Sequence, residues 1–89
     1  MSYEVEYALA AERELKKLDK YTKTILLNWV GKNLVGTDNP RRIGKALVGD
    51  FSGLWRYRVG DYRIIAKIMD SKLIILIVTV GHRKEICKT

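Results

Sequence analysis

The sequence predicts a small α+β domain of order β-α-α-β-β-β, with a helical hairpin packed on one face of a small, mainly antiparallel sheet. Three observations lead there. The chain opens on a short alternating segment, continues through two stretches whose apolar residues recur at helical spacing, and closes on three strand-like runs joined at Gly60-Asp61 and Asp70-Ser71. Eighty-nine residues suffice for one modest core and not for two, so a single domain over residues 1–89 is expected.

Tyr3 to Tyr7 alternates Tyr, Val and Tyr with Glu4 and Glu6, a first strand with a polar outer face. From Ala8 the period changes. Ala8, Ala11, Leu15 and Leu18 form one helical stripe, and Asp19-Lys20 breaks it. A second helix is expected from about Tyr21, with Tyr21, Ile25, Leu26, Trp29, Val30 and Leu34 as a broad stripe packed on the first helix and the sheet. Gly36 to Pro40 ends it, since Gly and Pro favour turns and the residue before Pro is biased away from helix. Arg41, Arg42 and Lys45 follow in a basic segment read as another helical turn.

From Leu54 to Val59 apolar and basic residues alternate, so Trp55, Tyr57 and Val59 point one way and Arg56 and Arg58 the other. Gly60 supplies the positive φ of a tight hairpin. A strand from Tyr62 to Met69 and another from Lys72 to Val80 complete the meander, the last apolar on both faces as if covered on both sides, and Gly81 onward reads as a polar tail. Trp29, Trp55, Tyr3, Tyr7 and Tyr57 are expected in or against the core. Lys16, Lys17, Lys20 and Lys23 read as a solvated helix face, with contact to an RNA backbone as the second reading.

Seventeen Lys and Arg against ten Asp and Glu leave a net charge of +7, which favours an anionic partner. The single cysteine, Cys87, excludes an intrachain disulfide, and no apolar run reaches the ~18 residues of a membrane span, so a cytoplasmic protein with no membrane partner is expected. One His and one Cys near the C-terminus fall short of the three or four ligands of a zinc site, so neither a metal nor another cofactor is proposed. The hairpin sets Arg56, Arg58 and Arg63 at the mouth of one sheet, where planar guanidinium forks suit phosphate oxygens.

Two long motifs carry a resemblance. The run from Gly49 to Arg63, Gly-Asp-Phe-Ser-Gly-Leu-Trp-Arg-Tyr-Arg-Val-Gly-Asp-Tyr-Arg, and the run from Val80 to Ile86, Val-Gly-His-Arg-Lys-Glu-Ile, resemble the RelE toxins of bacterial toxin-antitoxin modules. The resemblance covers nearly the whole chain. It implies a ribosome-dependent mRNA endonuclease that works without a metal, in which the ribose 2′-hydroxyl attacks the adjacent phosphate to leave a cyclic phosphate and a free 5′-hydroxyl. It implies catalytic roles for Arg56, Arg58, Arg63 and Arg83, and it leaves Arg41, Arg42, Lys84 and Cys87 along the RNA path. The implied partners are the ribosome with its mRNA, an acidic antitoxin protein, and operator DNA reached only through the antitoxin complex.

Arginine stays protonated near neutrality, so Arg56 and Arg58 can clamp a phosphate and not take a proton from it. Relatives that carry lysine at the first position have an option this chain lacks there. Lys45 and His82 are the remaining candidates for proton transfer, and electrostatic catalysis with a weak or substrate-assisted base is the preferred reading. Many relatives also carry a tyrosine where Cys87 stands. A ring stacked on a base is worth ~1 to 3 kcal/mol, so either activity is attenuated or another ring, Trp55 or Tyr62, substitutes. Two alternatives have other consequences. A ParE-like inhibitor of DNA gyrase acts through protein binding and needs none of the four arginines, and an attenuated toxin acts mainly as corepressor with its antitoxin.

Overall fold

The computed structural model describes residues 2–82. The elements are β1 (Glu4–Tyr7), α1 (Leu9–Lys17), α2 (Lys20–Asn33), β2 (Lys45–Ala46), β3 (Leu54–Val59), β4 (Tyr62–Met69) and β5 (Ile74–His82), with 3-10 turns at Gly49–Phe51 and Asp70–Lys72. They form one sheet of order β1-β5-β4-β3-β2, in which only β1 and β5 run parallel. The predicted architecture holds, with one strand added.

That strand corrects the helical turn expected around Arg41 to Lys45. Lys45 and Ala46 pair with Arg56 and Trp55, and the Leu47 N–H donates to the Leu54 carbonyl at 2.9 Å. The outer edge of β3 offers unpaired backbone groups, and two residues of chain satisfy them better than a helical turn can. The end of the meander also shifts. Lys72 belongs to the turn, closed by the Leu73 N–H on the Asp70 carbonyl at 3.2 Å, and Leu73 takes the left-handed conformation at φ 54°. Gly81 and His82, expected in a tail, extend β5 because Arg63 and Tyr62 of β4 stand opposite them. The β3–β4 hairpin has the predicted bounds, with a positive φ of 60° at Gly60 alone, as a two-residue type II′ turn requires.

Asp19 stops one helix and starts the next. Its carboxylate accepts from the Thr22 N–H at 3.1 Å and the Thr22 hydroxyl at 2.6 Å, which holds the carboxyl below its ordinary range. Ala11 and Leu15 of α1, with Leu26 and Val30 of α2, face a sheet surface built from Tyr57, Val59, Ile64, Ala66, Ile75, Ile77 and Val80. Tyr3 is buried with them, and Tyr7, Trp29 and Trp55 pack against this core from its margin. Tyr21 and Ile25, expected in the inward stripe, are instead 76% and 43% exposed. A helix lying on a sheet covers one stripe only, and α2 gives that stripe to Leu26, Trp29 and Val30, with Leu34 just beyond its end.

Both described helices lie on the same side, so among the described residues helices cover β5 on one face alone. Ile75 and Ile77 are fully buried under α1 and α2, whereas Ile74 and Leu76 on the other face are half-buried. Ile65 pairs with Thr79 and Ala66 with Ile77, leaving Val78 as an extra residue that bulges β5. Beyond the end of β1, Glu14 of α1 takes over the edge of β5, accepting from the Thr79 hydroxyl at 2.6 Å and the Val80 N–H at 2.9 Å.

Candidate nucleic-acid interface

Residues directly opposite each other in an antiparallel ladder point to the same face. Arg58 stands opposite Arg63, and Lys45 stands opposite Arg56. Since Tyr57 between the two β3 arginines is fully buried against the helices, all four cations lie on the face opposite the described helices. Lys67, opposite Leu54 and two places beyond Ile65, joins them. Sequence reasoning passed over Lys67, although its period-two spacing from Arg63 carries the signal. Gly81 lies beside Arg63 and puts no side chain in the way.

The four differ in access. Arg58 and Lys45 are exposed, Arg56 is half-buried, and Arg63 is only 7% exposed. Arg63 therefore forms the floor of the cationic face and not its mouth. Such an array can hold a phosphate and stabilise negative charge that builds up on it, because fixed guanidinium dipoles need no reorganisation as charge develops. Lys45 is the one ammonium among these four groups, a compact charge on a flexible stem where the three arginines present planar forks.

Arg41 has a different situation. Its guanidinium forks onto both oxygens of Asp70, Nη1 to Oδ1 at 3.0 Å and Nη2 to Oδ2 at 2.7 Å, and lies 5.7 Å from the centre of the Trp55 ring. Asp70 Oδ1 also accepts from the Tyr3 hydroxyl at 2.6 Å. The Arg41 fork, and after it the Tyr3 bond, hold the Asp70 carboxyl down at about 2.

The model of the family described as ParE toxin of type II toxin-antitoxin system, parDE, matches residues 5–87. A relative from Mycobacterium tuberculosis, Toxin RelG, is 30% identical over 86 residues, covering 97% of both chains. The chain belongs to the RelE/ParE superfamily of type II toxins. Toxin RelE of the same organism is 32% identical over 81 residues, covering 91% of this chain and 81% of its own. The toxin-antitoxin complex RelBE2 from that organism superposes with a TM-score of 0.83 at 28% identity, covering 93% of each chain.

Within this toxin the sequence-predicted site residues fall into three groups. Arg56, Arg58, Arg63 and Lys45 share one sheet face. Arg41, Arg42 and His82 do not join them. Arg41 sits over Trp55, which shares the helix-side face with Tyr57, and Arg42 lines an open cavity of about 580 Å³ near the end of α2 with Lys32, Asn33 and Ile43. His82 stands opposite Tyr62, with ring centres 5.4 Å apart and nearly perpendicular planes. Tyr62 shares the helix-side face with Val59 and Ile64, so the backbone of the sheet separates the Cβ of His82 from the arginines. Arg83, Lys84 and Cys87 lie outside the described residues.

No described helix is long and apolar enough to cross a membrane.

Proposed function

We propose that this toxin is a ribosome-dependent mRNA endonuclease, and the observation that carries the reading is the shared face of Lys45, Arg56, Arg58 and Arg63. The ribose 2′-oxygen gives up its proton and attacks the adjacent phosphorus while the bond to the 5′-oxygen breaks; the departing 5′-oxygen takes a proton from solvent, leaving a 2′,3′-cyclic phosphate and a 5′-hydroxyl. Arg56 and Arg58 clamp the phosphate, Arg63 supports its developing charge from below, and the resemblance to RelE toxins adds Arg83 as a further catalytic cation. Lys45 is better placed than His82 to receive the 2′-proton, because it stands on the arginine face. The net charge of +7 suits an acidic antitoxin that covers the same face, with operator DNA bound through that partner and the cytoplasm as the site of action.

The test is primer extension on a translated message with purified ribosomes, comparing the chain with Arg58→Ala, Arg83→Ala and Cys87→Tyr. Cleavage lost in both alanine variants supports the reading. Cleavage by Cys87→Tyr alone assigns an intact but attenuated site, and a chain of that kind serves mainly as corepressor with its antitoxin. A second reading, inhibition of DNA gyrase, is favoured by the ParE description of the matching family. It is the answer if growth arrest and loss of supercoiling survive removal of the arginines.

A further inference from the structure

The alternation that turns Arg56 and Arg58 to one face turns Trp55 and Tyr57 to the other, and those two rings form a seat for the chain arriving from α2. Three contacts fasten residues 40–44 to that seat. The Tyr57 hydroxyl donates to the Pro40 carbonyl at 2.6 Å. The Arg41 guanidinium lies over Trp55 and is locked by Asp70 from the β4–β5 turn. At Gly44 the backbone runs so close that a Cβ there would come within 2.8 Å of Tyr57 Cε1 and 3.3 Å of Trp55 Cε3. The next residue is Lys45.

A two-residue edge strand with both residues exposed has little of its own to hold it in register. Its position follows from what fastens the chain just before it. We infer that the Arg41–Asp70 pair is a positioning element for RNA cleavage, acting through Lys45 by clamping residues 40–44 onto Trp55 and Tyr57 so that Lys45 pairs opposite Arg56. Neither Arg41 nor Asp70 touches the arginine face. Asp70 uses both carboxylate oxygens on Arg41, so an amide in its place turns an NH2 group toward a guanidinium that cannot accept from it. The fork also explains why a lysine at 41 is a poor substitute, because a single ammonium cannot bridge both oxygens.

The inference rests on the endonuclease reading and is tested by a double-mutant cycle. Single-turnover cleavage on ribosome–message complexes is measured for the chain, Asp70→Asn, Lys45→Ala and the double variant, with thermal melts alongside. A lysine displaced by about 1 Å loses cleavage roughly ten- to a hundredfold, which is the fall expected in Asp70→Asn. On the Lys45→Ala background the same substitution removes nothing further, while its effect on melting temperature persists there. A purely structural Asp70 gives the opposite result, with an undiminished loss of rate on both backgrounds, and that overturns the inference. So does Lys45→Ala cleaving like the parent chain. If the parent chain does not cleave at all, the endonuclease reading fails and amide exchange judges the clamp separately. Leu47, whose N–H closes the β2–β3 pairing on Leu54, then exchanges at least tenfold faster in Asp70→Asn and in Arg41→Lys, with Ile64 and Ile77 unchanged. Unaltered exchange at Leu47 overturns the clamp.

Discussion

Arg58 and Arg63 stand directly opposite each other across the β3–β4 hairpin. Like charges in that relationship oppose folding, since their β-carbons are only about 4.5 to 5.5 Å apart. Arg63 is nearly buried, so the outer partner is the one that can be neutralised without leaving a hole. Arg58→Gln is expected to raise the melting temperature by about 1 to 8 °C, from a like-charge penalty of about 0.2 to 1 kcal/mol in a domain of this size. Cleavage should fall by about a hundredfold or more, as when one preorganised charge donor is lost. Greater stability with less activity marks a residue kept for function. A melting temperature that drops instead would make Arg58 a structural partner of the sheet.

Gly44 and Tyr57 predict a second outcome. Gly44 has no positive φ to protect, so the objection to a side chain there is contact alone. The ring it meets cannot swing away, because Tyr57 is fully buried and its hydroxyl is tied to the Pro40 carbonyl. Gly44→Ala is expected to destabilise the fold by about 1 to 3 kcal/mol, the usual range for overpacking, read as a lower urea midpoint with an unchanged slope. An unchanged midpoint would mean that residues 40–46 lift off the rings freely.

These two relationships separate what the sequence shows from what it hides. The β3–β4 hairpin was legible because alternation fixes which side chains share a face and Gly60 marks the turn. Both helices were legible from the 3.6 period, but not which apolar residues of α2 face inward. Tyr21, Ile25, Leu26, Leu27, Trp29 and Val30 nearly ring that helix, and only the sheet decides. Two residues of β2 carry no pattern, since their conformation is imposed by an edge formed later in the chain. The fork between Arg41 and Asp70 joins residues 29 positions apart and has no local signature. His82 is the sharpest case. Strict alternation from Ile75 and Ile77 puts it on the outer face, and the single extra residue at Val78 turns it to the helix side.

Asp70 should contribute to the acid limb of stability. Arg41 first and Tyr3 second hold its folded pKa at about 2, below the ordinary carboxylate value of 3.8. The contribution is therefore complete above about pH 4 and is lost as the pH falls through about 2. Urea midpoints of the parent chain and Asp70→Asn should differ most at pH 5 and converge toward pH 2. The alkaline limb has the other sign. Burial pushes the Tyr57 hydroxyl from 10.0 up to about 12, so its contribution is full below pH 10 and is lost as the pH rises through about 12. Tyr57→Phe should flatten that limb. A gap between the parent and Asp70→Asn that persists unchanged at pH 2 would assign the acid limb to another carboxylate.

A last prediction concerns the stretch that spans the end of α1 and the start of α2, which carries Arg13, Lys16, Lys17, Lys20 and Lys23 together with a Tyr21 that is 76% exposed. The carboxylates within this stretch are engaged elsewhere, Asp19 on Thr22 and Glu14 on Thr79 and Val80. The stretch is thus a cationic surface on the helix layer, across the sheet from Arg56 and Arg58. If it follows an RNA backbone, each lysine that meets a phosphate steepens the salt dependence of binding, by about 0.7 to 0.9 in the slope of log affinity against log salt. Replacing Lys16, Lys17 and Lys20 together with Gln should then reduce that slope by about 2 for an RNA hairpin, measured by fluorescence anisotropy across a salt series. Cleavage at saturating ribosomes should be unaffected, because the arginine face is untouched. An identical slope in the triple variant would leave the stretch as a solvated helix face, its lysines hydrated and its tyrosine merely exposed.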